Sequence, residues 1–283
     1  MSGVEERSGD RSITTSRPLD LRARAAEALG LADVDAKLAA VHAMWAEVKA
    51  GHCPIDTEAA VPAPLWLPGR PDRPRWVDPS QVPWRTPFTP EGRAALLHAV
   101  AHIEFNAINL ALDAVWRFPG LPREYYIDWA RIADEEALHF ALVREHLRST
   151  GHGYGDFDAH GGLWAMVEST AADPLARMAL VPRTLEARGL DVTPPMQQKF
   201  AKAGDQRAVE ILDVILRDEV GHVAAGNRWY RWLCERDGVD PIAHYEVLAK
   251  RHRAPRLKGP FNLEARARAG FTGEEMERLR GMG

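Results

Sequence analysis

Two segments carry a glutamate and a histidine one helical turn apart. Residues 133–140 read Ala-Asp-Glu-Glu-Ala-Leu-His-Phe and contain Glu136 and His139; residues 217–223 read Arg-Asp-Glu-Val-Gly-His-Val and contain Glu219 and His222. Side chains three apart share one helix face. In both segments that face is otherwise apolar, with Trp129, Ile132, Val143 and Leu147 around the first and Ile211, Leu212, Ile215, Trp229 and Leu233 around the second. A carboxylate and an imidazole on a core-facing stripe are costly unless something satisfies them. A metal ion does so for both at once. Each segment also follows another apolar stripe carrying one acid: Glu104, 32 residues before Glu136, and Glu186, 33 residues before Glu219.

One Glu-x-x-His is ordinarily a solvated helix face. Two copies, each with a partner glutamate at matching separation, form a repeated ligand set. One Glu from each of two helices and a Glu-x-x-His from each of two others can hold two divalent ions at the centre of a four-helix bundle. Four carboxylates bring a charge of about −4, which two such ions neutralise in a dry core. Mixed oxygen and nitrogen ligation suits iron, with manganese or a mixed Mn/Fe pair as alternatives; the absence of thiolates argues against structural zinc. The expected assignment is Glu104, Glu136 and His139 on one ion and Glu186, Glu219 and His222 on the other. Glu136 and Glu219 are the expected bridges, with open positions left for dioxygen or water. Glu210 competes with Glu186, because the helix carrying Glu186 reads as short. Glu135 and Asp218 stand about 100° round their helices from the ligands. There they are placed to accept a hydrogen bond from the far nitrogen of a ligating histidine, or to be ordinary surface acids. His102 is a further candidate to support the ligands; two residues from Glu104, it points elsewhere on its helix.

These six side chains need four long helices to position them. Thr89-Pro90 predicts a capped start for helix A, which runs to about Phe118; helix B runs from about Pro122 to Thr150. A short helix near 162–171 lengthens the next connection. Asp173-Pro174 caps helix C, expected to end at Arg188-Gly189, and 194–203 reads as a separate short helix or turn. Asp205 caps helix D, which runs to about Arg236. No stretch alternates convincingly as a strand. The fold class is therefore all-α, a four-helix bundle over 89–237. A mobile N-terminus is expected at 1–17. Residues 18–88 should hold two helices and a Pro/Trp-rich arm wrapping the bundle, its tryptophans docked in grooves. A C-terminal extension occupies 238–283, with a basic stretch from Lys250 to Arg268 that is either solvated, paired with acids of the bundle, or a site for an anionic substrate or RNA.

The 283 residues suffice for a full bundle core, and the formal charge of −4 argues against a broadly nucleic-acid-coating surface. Two cysteines, Cys53 and Cys234, give no disulfide framework. With no secretory signal and no apolar run of spanning length, the expectation is a cytoplasmic protein with no membrane partner.

The stretches His-Ala-Val-Ala-His-Ile-Glu (98–104), Asp-Glu-Glu-Ala-Leu-His-Phe (134–140), Thr-Leu-Glu-Ala-Arg-Gly-Leu-Asp (184–191) and Arg-Asp-Glu-Val-Gly-His (217–222) resemble the ferritin-like superfamily. More narrowly, with Lys-Gly-Pro-Phe-Asn (258–262), they resemble the bacterial ferritin-like family of unknown function DUF455. The superfamily likeness covers about 90–235, the family likeness most of the chain after residue 20. It implies a dimetal bundle but no substrate. A tRNA-modifying hydroxylase of the superfamily is similar in overall plan, an analogy of fold. The leading expectation is an oxygen-activating di-iron oxidase or hydroxylase, with dioxygen as co-substrate, an electron donor, a small-molecule or RNA-linked substrate, and a homodimer as an open option. The alternatives are an iron-handling ferroxidase or storage protein, and a metal-stabilised binding protein without turnover.

Overall fold

The computed structural model describes residues 19–281, so the N-terminal stretch expected to be mobile lies outside the described residues. Within them the chain is all-α, with no strand and one isolated bridge between Trp76 and Ala159. Two N-terminal helices, α1 (Leu21–Gly30) and α2 (Val34–Lys49), precede the arm. Then come α3 (Pro90–Arg117), α4 (Arg123–Ser149), the short α5 (Gly162–Ser169) and α6 (Pro174–Leu180). A π-helical turn, Val181–Glu186, joins α6 to α7 (Ala187–Lys202). After α8 (Gln206–Asp237), three helices close the chain: α9 (Pro241–Arg251), α10 (Leu263–Arg268) and α11 (Gly273–Arg280).

The ends of the long helices follow from local chemistry. The Thr89 hydroxyl accepts from the Gly92 amide at α3, and Asp205 accepts from the Ala208 amide at α8. Each satisfies a helix-end donor that would otherwise lack a partner. Gly238 ends α8 at φ 65, a left-handed conformation open to glycine at little cost. Helices α3 and α4 pack as one pair and α7 and α8 as another, with α4 against α8 joining them. Among the described residues, helix α3 alone is long and apolar enough to cross a membrane, but 78% of its apolar window is buried in the protein. A buried network ties α3 to α6: Asp113 accepts from both Arg117 and Arg177, and Arg177 also reaches the Val167 carbonyl. Charges placed this deep persist because each is paired and hydrogen-bonded.

Helix C departs from the sequence expectation. It does not stop at Gly189; α7 continues to Lys202 with Pro194 and Pro195 inside it. Gly189 has no left-handed φ. It is glycine at a close approach, since a Cβ there would stand 3.4 Å from Glu219 Cγ. Pro194 cannot donate to the Leu190 carbonyl, four residues back. Asn262 does so instead, through Nδ2 at 3.2 Å. The C-terminal extension thus repairs a break that the local sequence announces. The arm also differs in part. Trp76 packs over Gly161, but Trp66 is 82% and Trp84 86% exposed. The basic stretch is divided too: Arg266 is fully buried and grips Asp191 through Nε and Nη2 at 3.0 and 2.6 Å.

Candidate metal centre

Helices α3, α4 and α8 and the π-turn before α7 bring the predicted ligands to the middle of the bundle. Glu104, Glu136 and His139 form one buried triad; Glu136, Glu219 and His222 form a second that shares Glu136. His139 Nδ1 lies 3.3 Å from both Glu104 Oε2 and Glu136 Oε2. His222 Nδ1 lies 2.8 Å from Glu136 Oε1 and 3.3 Å from Glu219 Oε2. The two oxygens of Glu136 therefore face different imidazoles. Glu219 belongs to one triad only. Glu186 joins neither, but shares a cavity wall with Glu104, Glu136 and Glu219.

The outward nitrogens are anchored crosswise. His139, on α4, places Nε2 3.2 Å from Asp218 of α8; His222, on α8, places Nε2 2.8 Å from Glu135 of α4. Asp218 and Glu135 are both held below the usual carboxylate range. At Asp218 the leading cause is the His139 hydrogen bond, and at Glu135 burial is outweighed by His222 and Arg131. An ionised carboxylate only accepts, so each Nε2 carries the proton and each Nδ1 points inward. Arginines complete both relays: Arg131 Nη1 donates to both oxygens of Glu135, at 2.7 and 2.5 Å, and Arg217 donates to Asp218 at 2.9 and 3.0 Å. Sequence reading placed the two acids but missed these arginines. The signal was present, as Arg131 precedes Glu135 by one helical turn and Arg217 adjoins Asp218.

The donor set fits divalent metal. The Glu186 Oε2 atom is buried without a hydrogen-bond partner among the described residues, and His222 Nδ1, though 2.8 Å from Glu136 Oε1, meets it outside hydrogen-bond geometry. Burial, then the charges of Glu219 and Glu136, push the Glu186 carboxyl well above the ordinary range. Burial and Glu136 raise Glu104 to about 8. Burial alone would raise Glu136 as well, but His222 and His139 hold it low. Both imidazoles rise well above their usual range because the facing carboxylates outweigh burial. Without a cation, protons must gather where the carboxylates converge. A divalent ion at either triad replaces them with positive charge at the same place. Both overlapping triads could bind metal ions, and the buried set is consistent with a carboxylate metal site.

His102 lies outside this cluster. Its Nδ1 meets the Tyr154 hydroxyl and its Nε2 the His160 carbonyl, both at 3.1 Å. Its neighbour one turn earlier, His98, accepts from the Gly155 amide at 2.9 Å. Burial lowers both imidazoles to about 4, so they serve as neutral supports for the loop between α4 and α5.

The carboxylates open on a cavity of about 440 Å³ between α3, the π-turn, α7 and α8. Apart from the acids its walls are mainly apolar: Val100, Ile103, Leu185, Val192, Met196 and Ile215 are among them. Its size falls within the range of about 300–1,000 Å³ usual for small-molecule sites.

This is an all-helical protein with paired buried carboxylate–histidine clusters beside an apolar cavity. The family described as "Protein of unknown function (DUF455)" matches residues 30–277, and the chain belongs to that family. A protein of Haemophilus influenzae named "Uncharacterized protein" is 52% identical over 214 residues, covering 73% of this chain and 74% of its own. No solved structure matches.

Proposed function

We propose that the chain is a dimetal carboxylate protein of the ferritin-like type, with two iron ions held by Glu104, Glu136, His139, Glu186, Glu219 and His222. The observation that carries this reading is the mirrored geometry. Two imidazoles on different helices turn Nδ1 toward one shared glutamate, while each Nε2 is fixed by an acid on the other's helix. Fixing the tautomer from outside is how ligating histidines are prepared for metal. Glu136, shared by both triads, would hold both ions, and Glu219 and Glu186 would supply further carboxylate oxygen to them. Glu186 supplies the remaining carboxylate from the π-turn, a feature that recurs at functional sites because it redirects one side chain of a helix.

The reaction class we assign is oxygen-dependent oxidation or hydroxylation of a small substrate. Ferrous ions at such a site supply the electrons for dioxygen activation, and an oxygenase cycle draws more from an external donor. The chain's own residues orient the ligands, exclude water with apolar walls and seat the substrate in the cavity beside the carboxylates. The test is metal content of the purified protein, followed by anaerobic Fe(II) loading and exposure to oxygen under optical spectroscopy. About two iron atoms per chain and an oxygen-dependent absorption change are expected. Bound metal with no response to oxygen would instead favour a metal-stabilised binding protein.

A further inference from the structure

The cavity holds one feature that the metal reading does not use. Among the residues lining it, Arg188 is the sole lysine or arginine. It stands on α7, two residues beyond Glu186, and is only partly buried. Among the described residues it makes no hydrogen bond or ion pair, although most arginines of this chain that point into the fold are paired, such as Arg177 with Asp113 and Arg266 with Asp191. The other charged rim group, Asp158, is already taken by Arg75 at 2.6 Å. Near the opening lie exposed apolar side chains, Ile103 at 48% and Val192 at 36%.

We infer that Arg188 is the specificity determinant of this cavity, and that the substrate is an amphipathic carboxylic acid. Its carboxylate would lie on the guanidinium and its apolar body along Ile103, Leu185, Val192 and Met196. This rests on the reading of the cavity as the substrate site. A guanidinium presents a planar fork that matches a carboxylate through two parallel hydrogen bonds. An unpaired arginine facing an apolar cavity therefore selects an anion, and the chamber selects its tail. The single guanidinium argues for a single negative charge. A monoanion is fully paired on it, whereas a dianionic phosphate carries a second charge that no other lysine or arginine of the cavity wall can pair.

Calorimetric titration of decanoate, decanol and decyl phosphate into the purified full-length protein tests this. Decanoate should bind more tightly than either comparator. Arg188→Met keeps the apolar stem but should weaken decanoate at least tenfold while changing decanol less than twofold, since a hydrogen bond to a charged group contributes more than one to a neutral group. Arg188→Lys should recover part of the loss. Val192→Trp, at a partly exposed position, should block decanoate entry while leaving metal content unchanged. Equal decanoate binding by wild type and Arg188→Met, equal binding of decanol and decanoate, or preference for decyl phosphate would each overturn the inference. Metal analysis on the same samples separates the two readings. A metal-loaded chain that ignores decanoate sinks this inference alone. A chain that takes up no Fe(II) on anaerobic loading yet binds decanoate through Arg188 sinks the dimetal reading alone.

Discussion

Glu136 is the residue on which the centre turns, because each of its oxygens answers a different imidazole. Glu136→Gln keeps the shape but removes the charge both triads share. We expect it to lose most bound metal by elemental analysis while retaining its helical circular dichroism. Asp218→Asn acts at one remove. It leaves His139 a weaker acceptor on Nε2 and should lower metal affinity about 10- to 100-fold. Unchanged affinity in a chelator competition would show that Asp218 is only a surface acid held by Arg217. Proton linkage gives a third expectation at this scale. Burial and the neighbouring Glu136 push Glu104 up from the ordinary 4.5 to about 8 in the folded, metal-free chain, so between those values the folded state holds a proton that the unfolded state has lost. Stability falls as pH rises through such a window. The raised imidazoles of His139 and His222 act in the same sense above 6.5, whereas depressed Glu136 contributes stability that is lost only in acid. The melting temperature of the metal-free protein should therefore decline from pH 6.5 to 8. Added Fe(II) or Mn(II) should restore more stability at pH 8 than at 6.5, because metal displaces those protons.

Among the elements, the π-turn is the one whose shape the site depends on. Pro182 lies against Gly226 of α8, and a Cβ added at Gly226 would come within 2.6 Å of Pro182 Cβ and 2.7 Å of its Cγ. A proline ring cannot swing aside, so Gly226→Ala must push the turn that carries Glu186. Overpacking of this kind costs about 1–3 kcal/mol. Better helix propensity returns about 1 kcal/mol. The net expectation is a lower melting temperature together with weaker binding of the second metal ion. Gly221→Ala is the control. Nothing lies within 4 Å of its Cβ, so it should be neutral or stabilising by up to about 1 kcal/mol. The same region shows where sequence reading reaches its limit. Caps at Thr89 and Asp205 and the two Glu-x-x-His faces are local signals, and the helices begin and the triads form where those signals stand. Gly189 and Pro194 are local signals as well, but distant groups override them: Glu219 needs the space beside Gly189, and Asn262 satisfies the Leu190 carbonyl. Arg266 read as part of a basic run that was solvated, paired with acids of the bundle or bound to an anion; the fold selects pairing for Arg266 and names Asp191 as its buried partner. Arg188 carried no signal in the sequence, since the absence of a partner is a property of three dimensions.

At the scale of the whole molecule, the additions to the bundle bear on the choice between the proposed oxidase and an iron store. A storage cage needs the outer faces of its bundles free to meet one another. Here α1 packs on α3 and α2 on α4. On the other side, Ala265, Ala269 and Phe271 of the C-terminal extension join Ala187, Leu190, Val220 and Val223 in a second apolar cluster over α7 and α8. The Arg266–Asp191 pair and Asn262 fasten that extension in place. Removing it would expose the cluster; replacing the guanidinium alone, Arg266→Met, would leave a buried Asp191 without its partner, at a cost of about 3–5 kcal/mol. The additions are thus integral to the fold, and they cover outer faces of the bundle, which favours the proposed oxidase over a storage cage. Light scattering coupled to gel filtration of the iron-loaded protein should accordingly report a mass of one or two chains. A particle of many chains with an iron-dense interior would overturn the oxidase reading in favour of storage. A one- or two-chain particle that still accumulates iron far beyond about two atoms per chain would do the same, because a site of six ligands holds two ions and no more.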